Sequence, residues 1–159
     1  MSAVEDRLAS LGLSVPDVAK PVAAYVPALR DGNLIFTSGQ LPMVSGVLVR
    51  TGKVGTAGAA SGVSPEDAKM LAQTCALNAI AAVKSVIGDL DQVTRVVKVV
   101  GFVASHPSFT GQPAVINGAS ELLGKAFGDA GVHARSAVGV AVLPLDAPVE
   151  VEIIVSVQD

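Results

Sequence analysis

The sequence predicts an α+β fold in which two helices cover one face of a mixed sheet. The expected element order is β-β-α-β-α-β-β after a small N-terminal helix. Two segments, Ser64 to Gly88 and Pro113 to Gly131, repeat apolar residues at helical spacing. Between them, Thr94 to Ala104 is β-branched and reads as one long strand. The last 27 residues, His133 to Asp159, alternate like two strands joined by a Pro-containing turn.

Each element has a local cause. Ser2 with Glu5 three residues later is a capping-box pattern that opens a helix to about Leu11. A linker containing Pro16 and Pro21 follows, so residues 1–20 form an N-terminal helix and linker on a single domain spanning residues 1–159. Ala23 to Arg30 and Asn33 to Ser38 are apolar runs around Asp31-Gly32, a hairpin signal. Leu41 to Val63, rich in Gly, Ser and Thr, is expected to hold one or two short strands and a mobile loop. Ser64-Pro65-Glu66-Asp67 supplies an N-cap, a first-turn proline and acids at the positive end of a helix. Ala72, Ala76, Ile80, Val83 and Ile87 then mark its buried stripe, and Gly88 its end. In the second helix Ile116, Ala119, Leu123, Phe127 and Ala130 share a face, with Gly131 beyond them.

Half of the 159 residues are apolar, 3% are aromatic and 16% are charged, so the core is built from Val, Ala, Leu and Ile. The uncharged stretches Met70 to Val83 and Val99 to Ser120 are too short or too interrupted for the ~20 continuous apolar residues a membrane span needs. The excess apolar surface instead suits a contact between subunits. Neither a basic n-region nor a long apolar segment follows Met1, and a lone Cys75 cannot make an internal disulfide, which together point to the cytoplasm. A net charge of −3 without a basic stripe, and without tryptophan, offers nucleic acid little to bind. His106 and His133 have no metal-ligand spacing, and Thr51-Gly-Lys-Val-Gly lacks the pattern of a phosphate-binding loop. No metal and no cofactor are expected.

In the final strand Val149, Val151, Ile153 and Val155 share one face, and Glu150, Glu152 and Ile154 the other. In the strand before it, Ser136, Val138, Val140 and Val142 are expected to face the helices, leaving Arg135, Ala137, Gly139 and Ala141 on a small-residue face suited to a subunit contact. Arg135 stands beside small side chains, and its guanidinium fork can grip a carboxylate through two parallel hydrogen bonds. The bland alternative is an exposed arginine paired with a surface acid. Glu150 and Glu152 project the same way, so one could activate water, although Glu-Val-Glu on a strand is most often a solvated face. Lys98 lines a polar seam or snorkels outward. Paired as a hairpin, Arg135 and Glu150 would stand on the order of 20 Å apart, so one small substrate could reach both only between two subunits.

The runs Ala134-Arg135-Ser136-Ala137-Val138, Leu143-Pro144 and Val149-Glu150-Val151-Glu152-Ile153 resemble the C-terminal signature of the reactive-intermediate deaminase (RidA-like) family of enamine/imine deaminases. Thr37-Ser38-Gly39-Gln40-Leu41-Pro42 resembles the same family's early motif, and the similarity spans about residues 22 to 156. It implies a trimeric, chorismate-mutase-like fold. It also implies that Arg135 holds a substrate carboxylate and Glu150 the hydrolytic water. Tyr25, Ser38, Gly39 and Asn117 fall at ligand-facing positions, and the Ala137 carbonyl helps to hold the water. Two positions depart from the family. Ala23-Ala24-Tyr25-Val26 replaces a Gly-Pro-Tyr-Ser lead-in, and Ala137 stands where a cysteine is usual. The N-terminal helix and the segment Ser105 to Gln112 are longer than in short members, as in a divergent subgroup.

The activity so implied is hydrolysis of 2-imino acids, formed from unstable enamines, to 2-oxo acids and ammonia. The partners are a small carboxylate substrate and two further copies of the chain. The alternative is a non-catalytic trimer that binds a small carboxylate and regulates a partner. A ribonuclease is a third possibility, disfavoured by the acidic chain and the lack of a histidine pair.

Overall fold

The computed structural model describes residues 1–18, 21, 24–55 and 62–159. Parts of three expected features, the linker, the apolar run from Ala23 and the loop before Val63, therefore lie outside the described residues.

The N-terminal helix α1 spans Ala3–Ser10, and the Ser2/Glu5 capping box forms as expected. The Asp91 carboxylate also accepts from the backbone N–H groups of Ala3 and Val4, at 2.8 and 3.1 Å, which fastens the start of α1 to the body. Lys84 and Ser2 hold the Glu5 carboxylate and lower its pKa to about 2, with the Lys84 hydrogen bond the largest cause.

The first hairpin pairs β1 (Ala28–Asp31) with β2 (Leu34–Thr37). Its loop is Gly32–Asn33, one residue later than the Asp31-Gly32 signal suggests, because Gly32 takes the positive φ of 61° and Asp31 still pairs with Leu34. A small ribbon follows, β3 (Met43–Val44) and β4 (Val47–Leu48), closed by Ser45 and Gly46 at φ 51° and 78°. Helix α2 (Pro65–Ile87) is capped by Ser64, which accepts from the Asp67 N–H. By length and hydropathy α2 could cross a membrane, yet Ala68, Ala72, Ala76, Ala79, Ile80 and Val83 along it are buried against the rest of the fold. Strand β5 (Val93–Ala104) leads to α3 (Gln112–Phe127), which ends at Gly128 rather than Gly131; a short 3-10 turn fills Gly128–Gly131. The helices α2 and α3 touch closely at Gly118, where a Cβ would sit 1.9 Å from the Lys69 carbonyl oxygen.

The last two strands, β6 (Ala134–Val140) and β7 (Val149–Val157), do not pair with each other. The sheet order is β1-β2-β7-β5-β6, so β5 lies between them, antiparallel to β7 and parallel to β6. The expectation of a terminal hairpin is therefore wrong. Residues 141–148 connect the strands with a 3-10 turn at Pro144–Asp146 in which Leu145 and Asp146 adopt φ of 59° and 58°. That segment is long enough to pass over the end of β5, and a sequence pattern of two strands and a turn does not distinguish the two routes.

The faces of β7 are as expected: Val149, Val151, Ile153 and Val155 are buried, and Glu150 and Glu152 lie on the face away from the helices. Those of β6 are reversed. Its parallel register sets Arg135 beside Val99, Ala137 beside Gly101 and Gly139 beside Val103, all on the helix side. Ser136 and Val138 belong instead to the open face, where Val138 is 44% exposed. Hydrophobicity misleads here because β6 is an edge strand. The core lies under β5 and β7, so the helix side of β6 needs few bulky residues.

Candidate functional site

The residues singled out in the sequence gather into two groups on opposite faces of the sheet. The first is built on β6 and α3. Arg135 leans towards α3 and donates through Nη1 to Asn117 Oδ1 at 2.7 Å and to Ser120 Oγ at 3.3 Å. Asn117 and Ser120 are three residues apart and so share a face of α3. Ser120 also meets His133 Nε2 at 2.8 Å, and His133 Nδ1 meets the Gly131 carbonyl at 2.6 Å. Ala137, two residues along β6 on the same face, packs against the core margin with only a methyl group.

The second group is built around β7 and the turn after β2. Glu150 is half-buried, and its carboxylate occupies the space a side chain at Gly39 would need: a Cβ there would sit 1.9 Å from Oε1. Backbone bonds between Gln40 and Val151 hold this turn against β7 at 2.8 and 3.0 Å. Ser38 donates its hydroxyl to the Val26 carbonyl at 2.6 Å and its N–H to the Pro27 carbonyl at 2.8 Å, which ties the Tyr25 segment to the same turn. Tyr25 itself is 49% exposed. Burial, and secondarily the charge of Glu152, raises the Glu150 pKa above the ordinary carboxylate value.

Within one chain the two groups do not meet. Arg135 pairs with Val99 and Glu150 with Phe102, so their backbones are two strands and three residues apart, on the order of 14 Å, with side chains on opposite faces. Arg135 and Glu150 stand apart within one chain, as expected, but because β5 lies between their strands and not because of the length of a hairpin. Neither charge has an ion-pair partner among the described residues, where the ion pairs are Arg50–Asp67, Lys69–Glu121 and Lys84–Glu5. Lys98 lies on the open face beside Ile154 and Ala134. Cys75 is buried, with burial pushing its thiol pKa up, and no group of three metal-binding side chains occurs among the described residues.

Ser120 and His133 were missed as members of the Arg135 cluster. The signal available was polar Asn117 and Ser120 at i and i+3, beside an otherwise apolar helix face. His133 carries no such mark, since only the fold brings it under α3.

The family model described as "YjgF/chorismate_mutase-like, putative endoribonuclease" matches residues 5–156. The chain belongs to the YjgF/chorismate-mutase-like family. Its relatives include Protein TCP17 of Trypanosoma cruzi, 41% identical over 98% of this chain and 95% of that protein. Among solved structures similar to this one, the protein Atu1372 of unknown function from Agrobacterium tumefaciens is 45% identical. It covers 98% of this chain and 93% of its own, with a TM-score of 0.89. A putative endoribonuclease from Shewanella oneidensis is 30% identical, covering 97% and 99%, with a TM-score of 0.90.

Proposed function

We propose that this YjgF-like protein hydrolyses 2-imino acids to 2-oxo acids and ammonia, at a site that two copies of the chain complete together. The observation that carries the reading is the division of the candidate residues into an arginine group and a glutamate group, neither charge in an ion pair among the described residues. In the proposed assembly, a trimer, Arg135 of one copy faces Glu150 of the next. The open face of the sheet, with Phe36, Val100, Phe102 and Ile154 beside the exposed Val97 and Val138, offers apolar surface for that contact.

In the proposed reaction Arg135 holds the substrate carboxylate and so fixes the C=N carbon beside Glu150. The Asn117 contact spends Nη1 on the protein, and Ala137 leaves room for the rest of the substrate. Glu150, its pKa raised by burial, takes a proton from water as the oxygen bonds to the carbon of the protonated imine, whose C=N electron pair moves to nitrogen. The resulting carbinolamine then collapses: Glu150 passes its proton to nitrogen, the C–N bond breaks as ammonia leaves, and the hydroxyl proton goes to the regenerated carboxylate, and from it to solvent, as the carbonyl forms. One water is consumed and one ammonia released, with no oxidant or reductant. Tyr25, Ser38 and Gly39 line the same side as Glu150 and shape the cleft.

Ammonia release from freshly generated imines of several amino acids, compared with an Arg135→Ala variant, tests the reading. We expect turnover above the spontaneous rate, falling at least about a hundredfold in kcat/KM without the guanidinium. A flat response across all imines, with carboxylate binding retained, would favour the regulatory binding protein instead.

A further inference from the structure

The hydrogen bonds around Arg135 have a fixed direction that reaches beyond its two immediate partners. The Gly131 carbonyl can only accept, so His133 Nδ1 carries a proton and donates to it at 2.6 Å. In the neutral ring, Nε2 is then an acceptor, and the Ser120 hydroxyl donates to it at 2.8 Å. With its proton committed, the Ser120 oxygen turns its lone pairs outward and accepts from Arg135 Nη1 at 3.3 Å. Asn117 Oδ1 takes the other Nη1 hydrogen at 2.7 Å.

Both Nη1 donors are thereby used, while Nε–H and Nη2 of Arg135 have no acceptor among the described residues. Nη1 lies on the Cδ side of the guanidinium, so the unspent edge is the Nε–H/Nη2–H pair. Those two bonds run parallel and match the two oxygens of a carboxylate. We propose that Ser120 and His133 are positioning residues for this family-type site, a relay that locks Arg135 with its side-on fork available to the ligand carboxylate. The proposal rests on the reading of Arg135 as the carboxylate anchor. It adds a division of labour: α3 and the segment before β6 grip one nitrogen, and the substrate takes the opposite edge. A histidine reached through a serine can do this because both intermediates are neutral and none of them competes with the ligand for the cation.

The test uses the full-length protein with pyruvate as the probe, titrated calorimetrically, alongside imine turnover. Ser120→Ala and His133→Leu should each weaken pyruvate binding and raise KM about three- to tenfold, with kcat changed less than about twofold. His133→Gln places an amide oxygen near the Nε2 position and should restore most of the affinity. The double variant Ser120→Ala/His133→Leu should be no worse than either single one, because the two residues act in series. A separate readout needs no ligand. The Arg135 Nε–H resonance should be sharp in wild type and in His133→Gln, and averaged in His133→Leu. Unchanged pyruvate affinity and an unchanged Arg135 resonance in His133→Leu would overturn the relay. Wild-type protein that fails to bind pyruvate would overturn the function of Arg135 instead, leaving the relay to be judged on the resonance alone.

Discussion

Arg135 and Glu150 are both ionisable side chains on strands of one sheet, yet their surroundings differ in kind. Arg135 sits on the edge strand under α3, held by the neutral acceptors Asn117 and Ser120, with part of its fork unspent. Glu150 sits on an inner strand with no cation paired to it among the described residues, pressed against the Gly39 backbone and close enough to Glu152 to feel its charge. The first arrangement preorganises a permanent charge and leaves its donors for an anion. The second penalises a charge, so that the carboxyl gains and loses its proton nearer to neutrality. The proposed binding and proton transfer would need two such opposite environments, and this chain builds them on opposite faces of its sheet.

Breaking the glutamate half sharpens the contrast most. Glu150→Gln keeps the shape and the hydrogen-bonding reach but cannot shuttle a proton. We expect kcat to fall on the order of a hundredfold, while pyruvate affinity changes little. The same variant has a stability signature. Because the folded-state pKa is raised, the wild-type carboxyl favours the folded state at low pH, and that contribution is lost as pH climbs from about 4.5 through the raised folded value. Glu150→Gln should therefore melt higher than wild type at pH 8 and lose this advantage at pH 4. An equal effect at both pH values would show that Glu150 is not desolvated.

A smaller effect is expected from Gly39→Ala. The added methyl would collide with the Glu150 carboxylate, which is the mobile end of a side chain and can swing away. Activity should drop about tenfold through misplacement of the base, with little change in melting temperature and none in carboxylate binding. If Gly39→Ala weakened pyruvate binding as much as turnover, the two halves would not be separable.

Much of the fold was legible from local chemistry. Ser2 with Glu5, and Ser64-Pro65 followed by acids, announced two helix starts because capping is decided by a handful of adjacent residues. The alternation of β7 revealed its two faces because an inner strand on a one-sided sheet must bury every second residue. Strand order was not legible, since β6 and β7 are separated by β5, and pairing between distant segments leaves no mark in either one. The face of β6 was misread for a related reason: an edge strand only partly covers the core, so small and polar residues can point at a helix. Arg135, Asn117, Gly39 and Glu150 were reached through a motif, and the sheet explains their spacing. Ser120 and His133 became members of the cluster only when α3 was laid across the end of β6.

The central claim is that one copy's arginine works with another copy's glutamate, and mixing inactive variants tests it most directly. Arg135→Ala and Glu150→Gln proteins, each refolded alone, should be inactive. Unfolded together in equal amounts and refolded, they should recover about a quarter of wild-type imine hydrolysis, since in a randomly mixed ring one junction in four joins an intact Arg135 to an intact Glu150. Recovery no greater than the separately refolded proteins, despite demonstrated mixing of subunits, would contradict a shared site.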